Sequence, residues 1–283
     1  MNAPLKISSP ETQQFWEIPI LFEDEYLLVL DKPARLPAAP ETGDQDRPNL
    51  SRLLHAAIAS GKSWTRERGL TYLMPAHNLD VGASGVLLLA KSKAVFMTLA
   101  DWFGADRQGY QHLVLVRDTP KEDEFEIDAK LTPRWADRIL LRVDEQKGKR
   151  SRTSFAVVER FSRWTLLRCE PFTDRPHQIR AHLKHAGLPV VGDSEYGGRS
   201  LWLSRLKPNY RLKPGHTEQP LLGRPALHAQ TLSLPHPVNG AICNFEAPLP
   251  KDFTVALKYL RKYGTGAASF RSLDEERPEE TES

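Results

Sequence analysis

"AHNLDVGASGVLLLAKS", Ala76 to Ser92, joins a lone acid to an unbroken aliphatic run. Val86-Leu87-Leu88-Leu89-Ala90 is too short to cross a bilayer, and Gly85 and Lys91 bound it, so it reads as a buried strand. That puts Asp80 on the loop entering the core, where a carboxylate is costly unless paired. Asp80 is therefore either a turn cap or a site.

Patterns on both sides of this stretch extend the reading. "YLLVLDKP" (Tyr26 to Pro33) reads as a strand ending at a proline turn. Leu50, Leu53, Leu54, Ala57 and Ile58 recur at helical spacing and predict a helix closed by Gly61. Val95, Phe96, Leu99, Ala100 and Phe103 predict another. "YQHLVLVRD", "DRILLRVDEQ", "TSFAVVERF" and "WTLLRCEPF" then follow as strands. "TDRPHQIRAHLKHAG" returns to helical period, with Thr173 or Asp174 as cap, Pro176 in the first turn and Gly187 at the exit. A short strand "LPVVGD", two more in "RPALHAQTLSL" and "AICNFEAPL", and the helix "KDFTVALKYLRKYG" complete the pattern. Strands cluster without strict alternation with helices, which predicts an α+β fold with a mainly antiparallel sheet. Residues 1–14 are polar and expected to be flexible, 15–264 to form one domain, and 265–283 to be a disordered acidic tail.

Of the 283 residues, 40% are hydrophobic and 27% charged, as in ordinary globular proteins. No apolar stretch is long enough for a membrane span, and "MNAPLKISSPETQQ" lacks the apolar segment of a secretory signal. Cys169 and Cys243 are the only cysteines, which excludes a disulfide framework and a paired-cysteine zinc motif. A cytoplasmic protein is the expectation. The net charge of +3 conceals a segregation: the stretch from Ser272 carries −5, Arg134 to Arg168 carries +6, and Arg199 to Arg224 carries +5. Trp202, Tyr210 and His216 interleave the last of these, a mixture suited to phosphate contact and base stacking. A solvated basic face beside an acidic tail is the plainer reading, and charge alone does not separate the two.

Several motifs fail. "GASGV" brings its second glycine one residue too early for a nucleophile elbow, so Ser84 reads as a turn residue. His177, His182 and His185 have no carboxylate at zinc-protease spacing, and no metal is expected. With neither a phosphate-binding loop nor a dinucleotide fingerprint, no cofactor is expected. What remains is Asp80 in "HNLDVGASG", Tyr110 in "GYQHLVLVRD" and Arg180 in "RPHQIRAHL". Singly these read as a cap, a packing tyrosine and a solvated arginine.

Their order and company change that judgement. From Leu21 to Phe253 the chain resembles the RluA family of RNA pseudouridine synthases. "LLVLDKPARLPAAP" is similar to the family's opening strand and turn, and "HNLDVGASGVLLLAKS" to the motif that holds its catalytic aspartate. "TDRPHQIRAHLKHAGLPVVGDSEYGG" and "ALHAQTLSLPHPVNGAICNFEAPLPKDF" resemble its later blocks, in the family's order. The resemblance implies a mixed, mainly antiparallel sheet with flanking helices and a central catalytic cleft. It implies isomerisation of uridines in ribosomal or transfer RNA without a metal or cofactor. It makes Asp80 the nucleophile, Tyr110 the residue against the uracil and Arg180 the ion-pair partner of Asp80. A nucleophilic carboxylate must be ionised where water is excluded, and a fixed guanidinium favours its charged form. Asp80 would either attack C1′ or first assist loss of a ribose proton.

Asn78, Arg175, His177 and Lys32 are the candidate RNA-binding residues around them. Asn78 stands where the family has an arginine that helps displace the target base, Ala83 replaces a usual threonine, and Arg35 a usual glycine. Because of Asn78, a catalytically silent RNA-binding protein of the same fold is the rival expectation. With about twenty residues ahead of the matching region, RNA binding is expected to rest on the catalytic domain and its Arg199–Arg224 insert. RNA is the expected partner, with no DNA or membrane, and the chain is expected to be a monomer.

Overall fold

A computed structural model describes residues 3–40, 47–105, 109–134 and 137–265. The elements run β1 (Leu5–Ser9), β2 (Gln14–Ile18), β3 (Ile20–Glu23), β4 (Leu27–Lys32), α1 (Leu50–Ala59), α2 (Ser63–Glu67), β5 (Met74–Pro75), β6 (Ser84–Ala90) and α3 (Lys93–Gly104). Then come β7 (Tyr110–Arg117), β8 (Glu124–Asp128), β9 (Leu131–Arg134), β10 (Asp137–Val143), β11 (Arg152–Arg160), β12 (Trp164–Pro171) and α4 (Gln178–His185). After a short 3-10 turn at Ser194–Tyr196 follow α5 (Leu203–Leu206), β13 (Leu227–Pro235), β14 (Ile242–Glu246) and α6 (Lys251–Tyr263).

A ten-stranded sheet runs β3-β4-β6-β13-β7-β12-β11-β8, with β5 on β6 and β14 on β13. Every pair in it is antiparallel except β6 with β13, which run parallel where Ser84 and Gly85 meet His228 and Ala229. The fold is therefore α+β with a mixed, mainly antiparallel sheet. Gly85 is obligatory at the parallel contact: its φ is 116°, and a Cβ there would lie 2.1 Å from the Ala229 carbonyl oxygen.

The aliphatic run is continuous because β6 is covered on both faces. Leu87 and Leu89 pack with Leu28, Leu30 and the α1 leucines Leu50 and Leu54. Val86, Leu88 and Ala90 pack on the other side with Leu27, Val29 and the α3 residues Val95, Leu99 and Trp102. A third cluster joins β7, β11 and β12 to α4 and α6. Asn49 caps α1 by accepting the Arg52 N–H at 3.0 Å, and Gly61 follows it at φ 59°.

Four expectations need correction. The flexible segment expected over residues 1–14 contains β1, which pairs with β2 and buries Leu5 and Ile7 against Ile18 and Leu54. Its alternation of buried Leu5, Ile7 and Ser9 with exposed Lys6 and Ser8 is a short strand pattern inside a polar composition. "LPVVGD" forms only a single bridge, Val190 to Val116. The helix expected from Thr173 begins at Gln178, because His177 takes a left-handed conformation (φ 55°) that the helix cannot include. Thr173 instead donates its hydroxyl to the Gln178 side chain at 2.7 Å, within a turn preceding α4. Arg224, counted with the basic insert, is buried and forks onto Asp252 of α6 at 2.8 and 3.0 Å. The acidic stretch from residue 266 lies outside the described residues. Among the described residues no helix is long and apolar enough to cross a membrane.

Candidate active site

Asp80 lies on the loop between β5 and β6, and the scaffold grips that loop by its carbonyls. Arg35 donates its backbone N–H to Val81 O at 2.6 Å. The Arg224 guanidinium reaches Gly82 O at 3.1 Å, and Lys32 Nζ reaches Ala83 O at 2.8 Å. Asp80 closes the turn itself by accepting the Ala83 N–H at 2.9 Å. Gly82 is pressed against Pro225, 2.7 Å from where a Cβ would stand. Ser84 Oγ meets His228 Nδ1 at 3.0 Å, and His228 Nε2 meets Ala247 O at 3.1 Å, which locks β6 to β13 beside the loop. A carboxylate held by so many backbone contacts is pre-organised.

Lys32 is thereby a structural residue, contrary to its expected RNA contact. Its ammonium is fully buried and also donates to Pro33 O at 3.0 Å and Leu36 O at 2.9 Å. Three donors on three carbonyls leave it pointing into the protein.

The remaining sequence-derived candidates come together. Asn78, Asp80, Tyr110, Arg175 and His177 line one open cleft of about 700 Å³ with Phe103, His112 and Phe172. Arg180 lies behind Asp80, its Nη1 3.5 Å from Oδ2. His177 Nε2 stands 4.0 Å from Oδ1 of the same carboxylate. The left-handed turn at His177 directs that ring, Leu141 N–H donates to Tyr196 Oη at 2.8 Å, and the same hydroxyl lies 3.3 Å from His177 Nδ1. This contact on Nδ1 leaves the Nε2 edge of the ring facing Asp80.

Arg180 is more heavily engaged than its expected pairing with Asp80 implied. It forks onto Asp193, Nε to Oδ2 at 2.6 Å and Nη2 to Oδ1 at 2.7 Å. Nη2 also meets Glu195, and the guanidinium carbon sits 4.8 Å above the Tyr196 ring. Burial opposes the guanidinium's charge, but Asp193, Asp80 and Glu195 outweigh it and raise the pKa above the usual arginine range. Asp193 is wholly buried, so its carboxylate fixes the guanidinium in place, with the third nitrogen facing Asp80. Sequence reasoning missed Asp193, although it quoted the "GDSEYGG" segment that holds it.

Tyr110 stacks on Phe103 at 5.5 Å and 20°, with His77 edge-on at 5.0 Å. Its hydroxyl oxygen is buried without a partner among the described residues, and burial, then Asp174, pushes its pKa well above 10. Burial also pushes His77 down to about 3, and its Nε2 accepts the Leu88 N–H at 3.0 Å. Of the histidines set aside as metal ligands, His182 bonds Thr153 Oγ1 at 3.0 Å and Ala129 O at 3.2 Å. Among the described residues no group of His, Cys, Asp or Glu is arranged to hold a metal.

Residues 26–185 match the family described as RNA pseudouridylate synthase. An uncharacterized RNA pseudouridine synthase of Bacillus subtilis is 30% identical over 249 residues, covering 88% of this chain and 74% of the relative. Ribosomal large subunit pseudouridine synthase D of Pseudomonas aeruginosa is 34% identical over 252 residues, covering 87% and 72%. Among solved structures, human RNA pseudouridylate synthase domain containing 4 superimposes with a TM-score of 0.61 at 24% identity, covering 86% of this chain and 92% of that one.

Proposed function

Since the chain belongs to the RNA pseudouridylate synthase family, we propose that it isomerises uridines of large-subunit ribosomal RNA, with Asp80 as nucleophile. The enzyme class follows from the family. The choice of ribosomal RNA rests on the name of the Pseudomonas relative. The role of Asp80 rests on one observation: its carboxylate borders the cleft 3.5 Å from a guanidinium that Asp193 holds in place.

The reaction breaks the bond from uracil N1 to ribose C1′, turns the base and joins C5 to C1′. N1 gains a hydrogen and C5 loses one, so substrate and product are isomers and no redox partner is needed. Whether Asp80 attacks C1′ or first takes a ribose proton, it must enter the reaction as a carboxylate, and Arg180 Nη1 stands 3.5 Å from it as the counter-charge. Tyr110 supplies an aromatic face for the uracil and a hydroxyl that remains protonated at neutral pH. Asn78, Arg175 and His177 surround the position a nucleotide would take on leaving its helix. With Asn78 in place of the family's base-displacing arginine, Arg175 is the cleft arginine that could fill the space the base leaves; Arg35 does not line the cleft and spends its Nη2 on Gly223 O at 3.0 Å.

Asp80→Asn keeps the shape and removes the nucleophile. RNA from cells lacking the gene, labelled with tritium at uridine C5, should release tritium to water with the wild type. The variant should be slower by at least ~10³-fold while binding the RNA within twofold. Tritium release by Asp80→Asn at a comparable rate would sink the assignment. Mapping pseudouridine in large-subunit RNA with and without the gene tests the substrate: an unchanged map there, with a site lost elsewhere, would reassign it.

A further inference from the structure

Among the described residues, three side-chain atoms of the cleft lining are buried without a hydrogen-bond partner: Tyr110 Oη, His112 Nδ1 and Arg175 Nε. Buried polar atoms are nearly always paired, and one that is not marks strain or a partner yet to arrive. Of the three, His112 has no role in the reading above. It occupies a strand interior where an apolar side chain would cost nothing in hydrogen bonding.

His112 sits on β7, paired to Cys169 of β12 on one side and to Ala229 of β13 on the other, so its backbone is fixed. Being two residues from Tyr110, it shares that residue's face of the strand, and the two rings lie 5.8 Å apart at 41°. Burial pushes the imidazole down, the charge of Asp80 only partly opposes this, and His228 adds to it, leaving the group at about 4. It is therefore neutral at pH 7. A cation there would compete with Arg180 for Asp80; a neutral imidazole offers one donor and one acceptor.

The chemistry supplies a need for such a group. Once the N1–C1′ bond is broken, the base has no covalent tie to the ribose, yet it must turn and stay in register until C5 bonds C1′. A uracil presents an N–H flanked by two carbonyls, and stacking on Tyr110 alone leaves rotation in the ring plane unopposed. We propose that His112 is a base-contacting residue of this site, whose imidazole hydrogen-bonds the polar edge of the uracil and holds the base as it turns. The inference rests on the reading that the cleft takes a uridine.

The test compares His112→Phe with His112→Gln and His112→Asn, whose amides stand near the positions of Nε2 and Nδ1. The probe is the C5-tritiated RNA from cells lacking the gene, at saturating enzyme. His112→Phe should release tritium roughly ten- to a hundredfold more slowly, with RNA affinity within twofold. It should melt no lower than the wild type, because an unpaired polar atom has been removed. The better of the two amide variants should recover to within about threefold of the wild-type rate. The inference is overturned if His112→Phe reacts within twofold of the wild type, or if both amide variants, folded, are as slow as phenylalanine. If His112→Phe does not fold, His112→Leu serves in the same comparison. A wild type that releases no tritium would overturn the uridine reading itself, and the inference with it.

Discussion

Asp193→Asn separates the support of Arg180 from the chemistry of Asp80. Asp193 is fully buried, and both its oxygens receive guanidinium hydrogens at 2.6 and 2.7 Å. Hydrogen bonds to charged groups contribute about 1.5–3 kcal/mol each. Asparagine keeps one acceptor and turns an NH₂ toward the guanidinium in place of the other. Arg180 retains Glu195 and Asp80, so the loss should fall below the 3–5 kcal/mol typical of a buried charge left alone, at about 2–4 kcal/mol. For a chain of this size that is a melting-temperature drop of roughly 3–7 °C. Turnover should fall by more than about tenfold, because Nη1 loses the fork that aims it at Asp80. RNA affinity should hold, since Asp193 does not line the cleft. Scanning calorimetry and single-turnover tritium release measure the two effects. A melting shift under about 1 °C with a wild-type rate would refute the view that Asp193 positions Arg180.

Two further perturbations probe the scaffold and the RNA surface. Burial raises the Asp31 carboxyl to about 6 against an ordinary 3.8, and Lys32 only partly offsets it. The sign is then a penalty on the charged form, absent below about pH 4, growing as pH rises through 6 and constant above. Asp31→Asn should stabilise the protein by about 1–2 kcal/mol at pH 8, after screening on its partly exposed side, and by nothing near pH 4. Equal gains in denaturant melts at both pH values would contradict this. Arg205, Lys207, Arg211 and Lys213 are all exposed. Replacing the four with glutamine should weaken RNA binding and make the slope of log affinity against log salt shallower by up to about 3. An unchanged slope would show that this insert faces away from the RNA.

Much of the architecture was legible because it depends on local pattern. Alternating or unbroken apolar runs marked β4, β6, β7, β11, β12, β13 and β14, and 3.6-residue spacing with Asn49 and Gly61 marked α1. Failures arose where composition hid a pattern or a side chain's surroundings overrode it. Leu5 and Ile7 alternate within a polar segment too short to weigh against its overall character. The start of α4 depended on a left-handed residue, His177, that no propensity anticipates.

For the site, the sequence by itself determined which residues were candidates, since residue type and order in the chain are one-dimensional facts. Asp80, Tyr110 and Arg180 could be named, and the structure brings them to the walls and back of one cleft. Partnership was decided by the tertiary structure. The lysine that ends β4 reads as an RNA contact until three carbonyls, one of them 51 residues away, close around it. Arg180 reads as the counter-ion of Asp80 until Asp193, delivered by the turn after α4, takes its fork and leaves the third nitrogen for Asp80. His112 reads as one polar residue in a strand until β12 and β13 bury it beside Tyr110. The physical reason is the same in each case. Hydrogen bonds form at about 3 Å and ion pairs are strongest within about 4 Å, and which groups come that close depends on how the whole sheet is assembled.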